Sequence, residues 1–281
     1  MNILKTSGWS DYELIDSGEG KRLERFGTYT LSRPDPQAIW NTKAEKSLWD
    51  KAGAIFGRVW VNKSVPEKWS IKYKNLNLNL RLTPFKHTGI FPEQIINWEF
   101  IEEKIKGSKK EVNVLNLFGY TGVSTLVAAE AGAKVTHVDA SKPSMNWFRE
   151  NQELSGLSKN PIRIIVEDAA KYVEREIKRG VKYDAVIMDP PVYGHSPSGK
   201  SWEFNRDFPL LMKNVSKLLT TSPLFVLVNA YAITSSSIML ENVMNDSLES
   251  LGGKIEVGEL ALKEKIGGRL LSTGIFGRWT K

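Results

Sequence analysis

Residues 254–279 read KIEVGELALKEKIGGRLLSTGIFGRW. Two strand-like runs, 254–262 and 269–279, are separated by six residues that include Gly267-Gly268. A parallel pair needs a crossover of about a dozen residues or more, so these two runs must pair antiparallel as a hairpin. Upstream, strand-like runs at 112–117, 134–138, 162–166, 183–188 and 224–228 alternate with helical stretches at 121–131, 143–154, 169–178, 208–219 and 235–251. That alternation demands a parallel sheet covered by helices on both faces. The expected fold class is therefore α/β over residues 89–281, a seven-stranded sheet of five parallel strands closed by a terminal antiparallel hairpin. No internal repeat or low-complexity segment interrupts it.

The first ninety residues have a different texture. Short strand-like runs at 12–16, 22–26, 28–32, 58–61 and 70–74 are separated by Gly, Pro and Asp turn signals. The clearest lies at 75–82, where Leu76, Leu78, Leu80 and Leu82 alternate with Asn77, Asn79 and Arg81, placing four leucines on one face. Residues 1–88 are accordingly expected to form a small β-rich accessory domain. In a domain of this size Trp40, Trp49, Trp60 and Trp69 are expected in the core rather than as base-stacking groups.

The chain has 281 residues, 39 Lys and Arg against 32 Asp and Glu, and no cysteine. Disulfides, thiolate metal sites and cysteine nucleophiles are thereby excluded. Residues 51–90 carry 8 basic and 1 acidic residue, whereas 91–281 carry 24 and 23. The whole excess of +7 sits in one forty-residue block, the footprint of a phosphate-backbone contact surface or of a solvated β-rich face. Neither a signal peptide nor a membrane span is visible, so a soluble, cytoplasmic protein is expected. His87, His137 and His195 are the only histidines and their spacing matches no ligand pattern, so no metal site is expected; His137, inside a strand, reads as structural.

Three strand ends carry candidate ligand chemistry. Asn116-Leu117-Phe118-Gly119-Tyr120-Thr121-Gly122 follows the first sheet strand and opens a helix, where glycines permit a tight turn and free amides favour a carboxylate. Asp139, followed by Ala140 and Ser141, ends the next strand 17 residues after Gly122, a position from which an acid accepts ribose hydroxyls. Glu167-Asp168-Ala169 ends the third, where a carboxylate suits an adenine amino group. In register, the three are an adenosine site; the glycine spacing is not the G-x-G-x-x-G that a pyrophosphate requires.

The fourth strand runs into Asp189-Pro190-Pro191-Val192-Tyr193. Two prolines remove two amide donors and fix φ, leaving the Asp189 carboxylate and backbone carbonyls as acceptors for an amino group. Tyr193 is placed to stack on a flat substrate ring and hold a nitrogen in line with the methyl of a sulfonium cofactor. The plainer reading is a rigid strand terminus. His195 and the 194–201 segment, with Gly194, Pro197, Gly199 and Lys200, read as a substrate lid or an ordinary surface loop.

Over nearly its full length the chain resembles the S-adenosylmethionine (SAM)-dependent 23S rRNA methyltransferases of the large-subunit group, class I enzymes with a Rossmann-like sheet. The resemblance rests on residues 83–94 (TPFKHTGIFPEQ), 115–122, 138–141 and 189–193. It implies SAM as cofactor and RNA, ribosomal RNA above all, as partner. It implies that Phe91, Glu93 and Gln94 belong to the cofactor site, that Asn116, Phe118, Gly119, Tyr120, Thr121 and Gly122 form the methionine-side loop, and that Asp139 with Ala140 and Ser141 binds the ribose. Asp168 with Ala169 is the implied adenine contact, and Asp189, Pro190, Pro191 and Tyr193 the catalytic segment.

The chain departs from that group in two ways. No room is seen for the N-terminal RNA-binding domain some relatives carry, and Asn229-Ala230-Tyr231 follows the fifth strand without a cysteine nucleophile. Covalent attack at a pyrimidine carbon is thus excluded and transfer to a base nitrogen stays open. Two competing readings are a protein amide or amine methyltransferase and a catalytically idle RNA-binding or assembly factor of the same fold.

Overall fold

The computed structural model describes residues 2–6, 8–195, 201–231 and 235–281. The chain divides into two compact units, one of residues 4–96 with 260–273, the other of residues 1–3, 97–259 and 274–281. The boundary therefore falls at 96/97 rather than at the expected 88/89, and a distant segment joins the first unit.

The unit of residues 4–96 and 260–273 is built on short strands. After β1 (Asn2–Thr6) come β2 (Tyr12–Gly18), β3 (Lys21–Phe26), β4 (Tyr29–Pro34), the short helix α1 (Lys46–Asp50), β5 (Ala54–Phe56), β6 (Trp60–Asn62), β7 (Lys68–Tyr73) and β8 (Leu76–Arg81). Strands β2 to β6 form a sheet in chain order, antiparallel except where β4 pairs parallel with β5, and β7 pairs antiparallel with β8 alone, Trp69 opposite Leu80 and Ile71 opposite Leu78. The leucine alternation is realised, with Leu76, Leu78 and Leu80 buried; Leu82 lies past the strand end. Of the four tryptophans, Trp69 is buried and the others are half-buried. Glu24 is fully buried and takes a bidentate fork from Arg33 at 2.7 and 2.8 Å, with Tyr12 donating at 2.8 Å. Burial alone would raise the Glu24 pKa, but the guanidiniums of Arg22 and Arg33 hold it below its ordinary value.

Residues 260–273 join this unit through bonds no local pattern announces. Lys265 donates its amide to the Leu14 carbonyl at 2.9 Å, and Arg269 bridges Glu264 at 2.8 Å and Asp16 at 3.3 Å.

The chain enters the second unit through a 3-10 turn (Pro92–Gln94) and α2 (Ile95–Lys106), which the sequence reading did not anticipate. Ile95, Trp98, Ile101 and Ile105 are buried at helical spacing along it. There follow β9 (Asn113–Leu117), α3 (Val123–Glu130), β10 (Lys134–Asp139), α4 (Lys142–Leu154), β11 (Ile162–Val166), α5 (Ala169–Lys178), β12 (Ala185–Met188), β13 (Tyr193–His195), β14 (Ser201–Glu203), α6 (Phe204–Ser216), β15 (Phe225–Ala230), α7 (Ser237–Leu248), a second 3-10 turn (Glu249–Leu251), β16 (Lys254–Lys263) and β17 (Leu270–Thr280).

The main sheet has eight strands in the order β1-β16-β17-β15-β12-β9-β10-β11, one more than expected because β1 adds itself beside β16. β11, β10, β9, β12 and β15 are parallel, β17 runs antiparallel to β15, and β16 lies beside β17 as the hairpin argument required. The central strands are covered on both faces and are correspondingly apolar: every residue of β12 and β15 is buried. Phe204, Phe208, Leu211, Met212 and Val215 of α6 pack with the β12 and β15 side chains in one core cluster. Among the described residues no helix is long and apolar enough to cross a membrane.

Candidate functional site

Register places the strand ends level with one another. Leu117 pairs with Val138 on one side and with Met188 on the other, Asp139 pairs with Val166, and Met188 pairs with Val228. Phe118, Asp139, Val166, Asp189 and Asn229 therefore stand level at the carboxyl ends of five adjacent parallel strands, with Glu167 one residue beyond Val166, at the edge where open α/β sheets bind ligands.

The loop after β9 is wound tightly. Phe118, Tyr120 and Gly122 have φ of 56°, 51° and 87°, all in the left-handed region. Two side-chain-bearing residues there cost on the order of 1–2 kcal/mol each. Bonds to β10 offset that cost: Gly119 donates to the Val138 carbonyl at 3.0 Å, and Tyr120 donates to Asp139 Oδ2 at 2.8 Å. The glycines are required by what stands behind them. A Cβ on Gly119 would occupy the His137 imidazole, and one on Gly122 would occupy the Phe148 ring. His137 and Phe148 are themselves stacked, centroids 4.1 Å apart and planes at 15°.

Behind the loop lies a buried polar relay. Asn116 donates to Thr125 Oγ1 at 2.9 Å, and Thr125 Oγ1 meets His137 Nδ1 at 2.8 Å. Burial drives the His137 pKa down to about 3, so the imidazole is neutral in the folded protein. Asn116, expected at the ligand, is 2% exposed and spends its amide nitrogen on this relay. That bond ties β9 to α3 beneath the loop. Thr121 is equally buried, and its carbonyl accepts Asn151 Nδ2 of α4 at 3.0 Å. Thr125, Phe148 and Asn151 were not singled out from the sequence; only the folded contacts disclose them.

Asp139 ends β10 half-buried. Oδ2 accepts the Tyr120 amide and Oδ1 the Ser141 amide, each at 2.8 Å. Burial raises its pKa, and those two bonds pull it part of the way back. A carboxylate has about four acceptor positions, so two remain for a vicinal diol. Ser141 caps α4, accepting the Ser144 amide at 3.3 Å, with Ala140 between the two. Asp168 caps α5, one oxygen accepting the Lys171 amide at 3.0 Å, and Ala169 behind it is buried. The other Asp168 oxygen has no protein partner among the described residues. The N-terminus of α3 carries no side-chain cap, leaving its first amides as donors for an anion. The residues thus fit an adenosine bearing an α-amino acid.

At the fourth strand end Pro190 is buried, Asp189 half-buried and Tyr193 72% exposed. The carbonyls after the prolines are not all open acceptors as expected. Trp202 Nε1 donates to the Pro191 carbonyl at 2.7 Å, and the Phe204 amide donates to the Val192 carbonyl at 2.9 Å. The Trp202 ring also meets the Phe118 ring, centroids 5.2 Å apart. One indole therefore ties the loop after β9 to the Asp-Pro-Pro segment. Tyr193 and His195 lie in the β13–β14 hairpin, opposite Glu203 and Ser201. Residues 196–200 of the expected lid, and the His195 side chain, lie outside the described residues.

Phe91, Glu93 and Gln94 belong to the other unit. Glu93 and Gln94 are buried in the 3-10 turn, burial raises the Glu93 pKa, and the Glu93 carbonyl accepts Thr6 Oγ1 at 3.3 Å.

Comparison with known proteins agrees with this geometry. Residues 53–252 match the model of the S-adenosylmethionine-dependent methyltransferase family. The chain belongs to that family. A SAM-dependent methyltransferase from Agrobacterium tumefaciens of known structure is 40% identical, superposes with a TM-score of 0.97, and is matched over 100% of this chain and 93% of its own. Among curated proteins, the ribosomal RNA large subunit methyltransferase K/L of Shewanella frigidimarina is 34% identical over 56% of this chain and 21% of its own length. The protein of that name from Pseudoalteromonas atlantica is 34% identical over 56% and 22%. The chain thus spans about a fifth of the length of these relatives. This methyltransferase uses SAM, the cofactor its family shares, and the expected fold class stands, with β1 added to the sheet.

Proposed function

We propose that this SAM-dependent methyltransferase transfers the methyl group to a nitrogen of an RNA base, most consistent with large-subunit rRNA in the cytoplasm. The observation that carries the reading is Trp202, which touches Phe118 of the loop after β9 and holds the Pro191 carbonyl. It couples the elements assigned to cofactor and to acceptor. In this reading Asp139 takes the ribose hydroxyls, Asp168 the adenine amino group, and the residues of the 116–122 loop and the α3 N-terminus the methionine end. Bound SAM supplies an electrophilic methyl on a sulfonium.

Asp189 and the Pro190 carbonyl accept the hydrogens of the acceptor amino group, orienting its lone pair, and the exposed Tyr193 ring stacks on the base. This chain has no cysteine to attack a pyrimidine carbon, and transfer to a base nitrogen needs no such covalent intermediate. The named relatives support RNA as substrate, and the +7 balance of residues 51–90 supports that block as an RNA-contacting surface.

Mass spectrometry of rRNA nucleosides from cells with and without the protein, joined to transfer of labelled methyl to that rRNA in vitro, tests it. A methylated base nitrogen that disappears with the protein is expected. Labelling of protein fractions with none in RNA would overturn the substrate assignment.

A further inference from the structure

Phe85 is 71% exposed. An aromatic ring in water gains free energy when a partner covers it. Its backbone, by contrast, is held firmly. Trp60 Nε1 donates to the Thr83 carbonyl at 2.8 Å and to the Phe85 carbonyl at 3.0 Å. Thr83 Oγ1 shares its one proton between the Phe85 carbonyl at 3.0 Å and the His87 carbonyl at 2.7 Å, and accepts the Phe85 amide at 3.2 Å. Pro84 fixes one more torsion. The Trp60 indole is seated edge-on against Phe56, centroids 5.2 Å apart, so the clamp is rooted in the β5–β6 hairpin.

The surroundings give the partner's chemistry. Arg58 and Val59 form the tip of that hairpin, both exposed, Val59 at 67%. Lys68 and Arg81 pair across β7 and β8, the latter two residues before Thr83, and Lys86 follows Phe85 directly. The block from 51 to 90 holds a single acidic residue. A flat apolar ring on a fixed backbone among cations suits a flat apolar ring on an anionic chain.

We infer that Phe85 is a stacking platform for one unpaired base of the RNA, with Arg58, Lys68, Arg81 and Lys86 neutralising the flanking phosphates. The inference rests on the RNA reading above and adds to it a single-stranded contact at a residue assigned neither to cofactor nor to acceptor. Duplex RNA has its bases already stacked and cannot use the platform.

Fluorescence anisotropy of the full chain with a labelled 12-nucleotide single-stranded RNA and with a 12-base-pair RNA duplex tests it. Phe85→Ala is expected to weaken single-strand binding about 5- to 150-fold, the scale of losing one base stack. Duplex affinity, the salt slope and calorimetric SAM affinity should be unchanged. Phe85→Trp should bind at least as well as wild type, and Phe85→Leu, apolar but not aromatic, should bind as weakly as Phe85→Ala. Wild-type single-strand affinity in Phe85→Ala or in Phe85→Leu overturns the platform while leaving the RNA reading intact. If the wild type binds neither RNA, the RNA reading itself falls and takes the platform with it. If sedimentation shows a wild-type dimer that Phe85→Ala dissociates, the ring is an interface between copies and the platform is overturned.

Discussion

The carboxylate of Asp139 accepts the backbone amide of Tyr120 at 2.8 Å. This bond joins the loop after β9 to the end of β10, so the residue assigned to the ribose also fixes the loop assigned to the methionine end. Asp139→Ala should therefore weaken SAM binding by more than the ribose hydrogen bonds alone. Those bonds, made to a charged group, are worth about 1.5–3 kcal/mol, or roughly 10- to 150-fold in Kd by calorimetry.

Acidity should act through the same group. Burial raises the Asp139 pKa, and only the ionised form accepts both ribose hydroxyls. SAM affinity is expected to be flat at and above neutral pH and to fall as pH drops through that raised value. Asp139→Asn should be weak and flatter when titrated downward from neutral pH.

Gly122→Ala sets a new methyl against the Phe148 ring at a φ of 87°. The left-handed backbone costs on the order of 1 kcal/mol and overpacking about 1–3 more. In urea unfolding, Phe148→Ala should also destabilise, and the double variant should lose distinctly less than the sum of the two, because the second change makes room for the first.

His137 contributes to acid sensitivity. Its folded pKa is about 3 against an ordinary value near 6.5. The unfolded chain then binds more protons below pH 6.5, so stability from this group is whole above that value and is lost as pH falls towards 3. Between pH 7 and 5 the loss is about 2 kcal/mol at most. His87, pushed down to about 4 by burial and by the charges of Arg33 and Lys86, adds in the same direction. Comparing wild type with His137→Asn by urea unfolding at both pH values should show a smaller drop in the variant.

Tyr193→Ala and Asp189→Ala should separate chemistry from cofactor binding. With its side chain exposed, Tyr193 contributes little to stability, so Tyr193→Ala should unfold within about 0.5 kcal/mol of wild type. Single-turnover methyl transfer to rRNA should drop by about 10²-fold or more in both variants, with SAM affinity held within a few-fold. Near-wild-type rates would make residues 189–193 a rigid strand terminus only.

Reversing Lys72, Lys74 and Arg81 to Glu should lower RNA affinity and flatten its dependence on salt. Each phosphate that goes unneutralised keeps its counterion, which takes up to about 0.7–0.9 off the log–log slope. SAM affinity should not move. An unchanged slope would place the RNA elsewhere on the chain.

Much of this was legible in local pattern. Six residues between two strand-like runs forced the terminal hairpin, and β/α alternation forced the parallel sheet, because backbone geometry leaves no other solution at those lengths. The acids at Asp139 and Asp168 and the glycines at Gly119 and Gly122 were legible for the same reason, each sitting at a strand end. What local pattern could not show is contact at long range. That β1 adds an eighth strand, that residues 260–273 fold with residues 4–96, and that Asn116 bonds to Thr125 depend on partners that no short-range periodicity encodes. The glycines illustrate the division: their positions follow from the turn, but the necessity of a bare Cα there comes from the stacked His137 and Phe148 rings behind them, a constraint created only when β10 and α4 close on the loop.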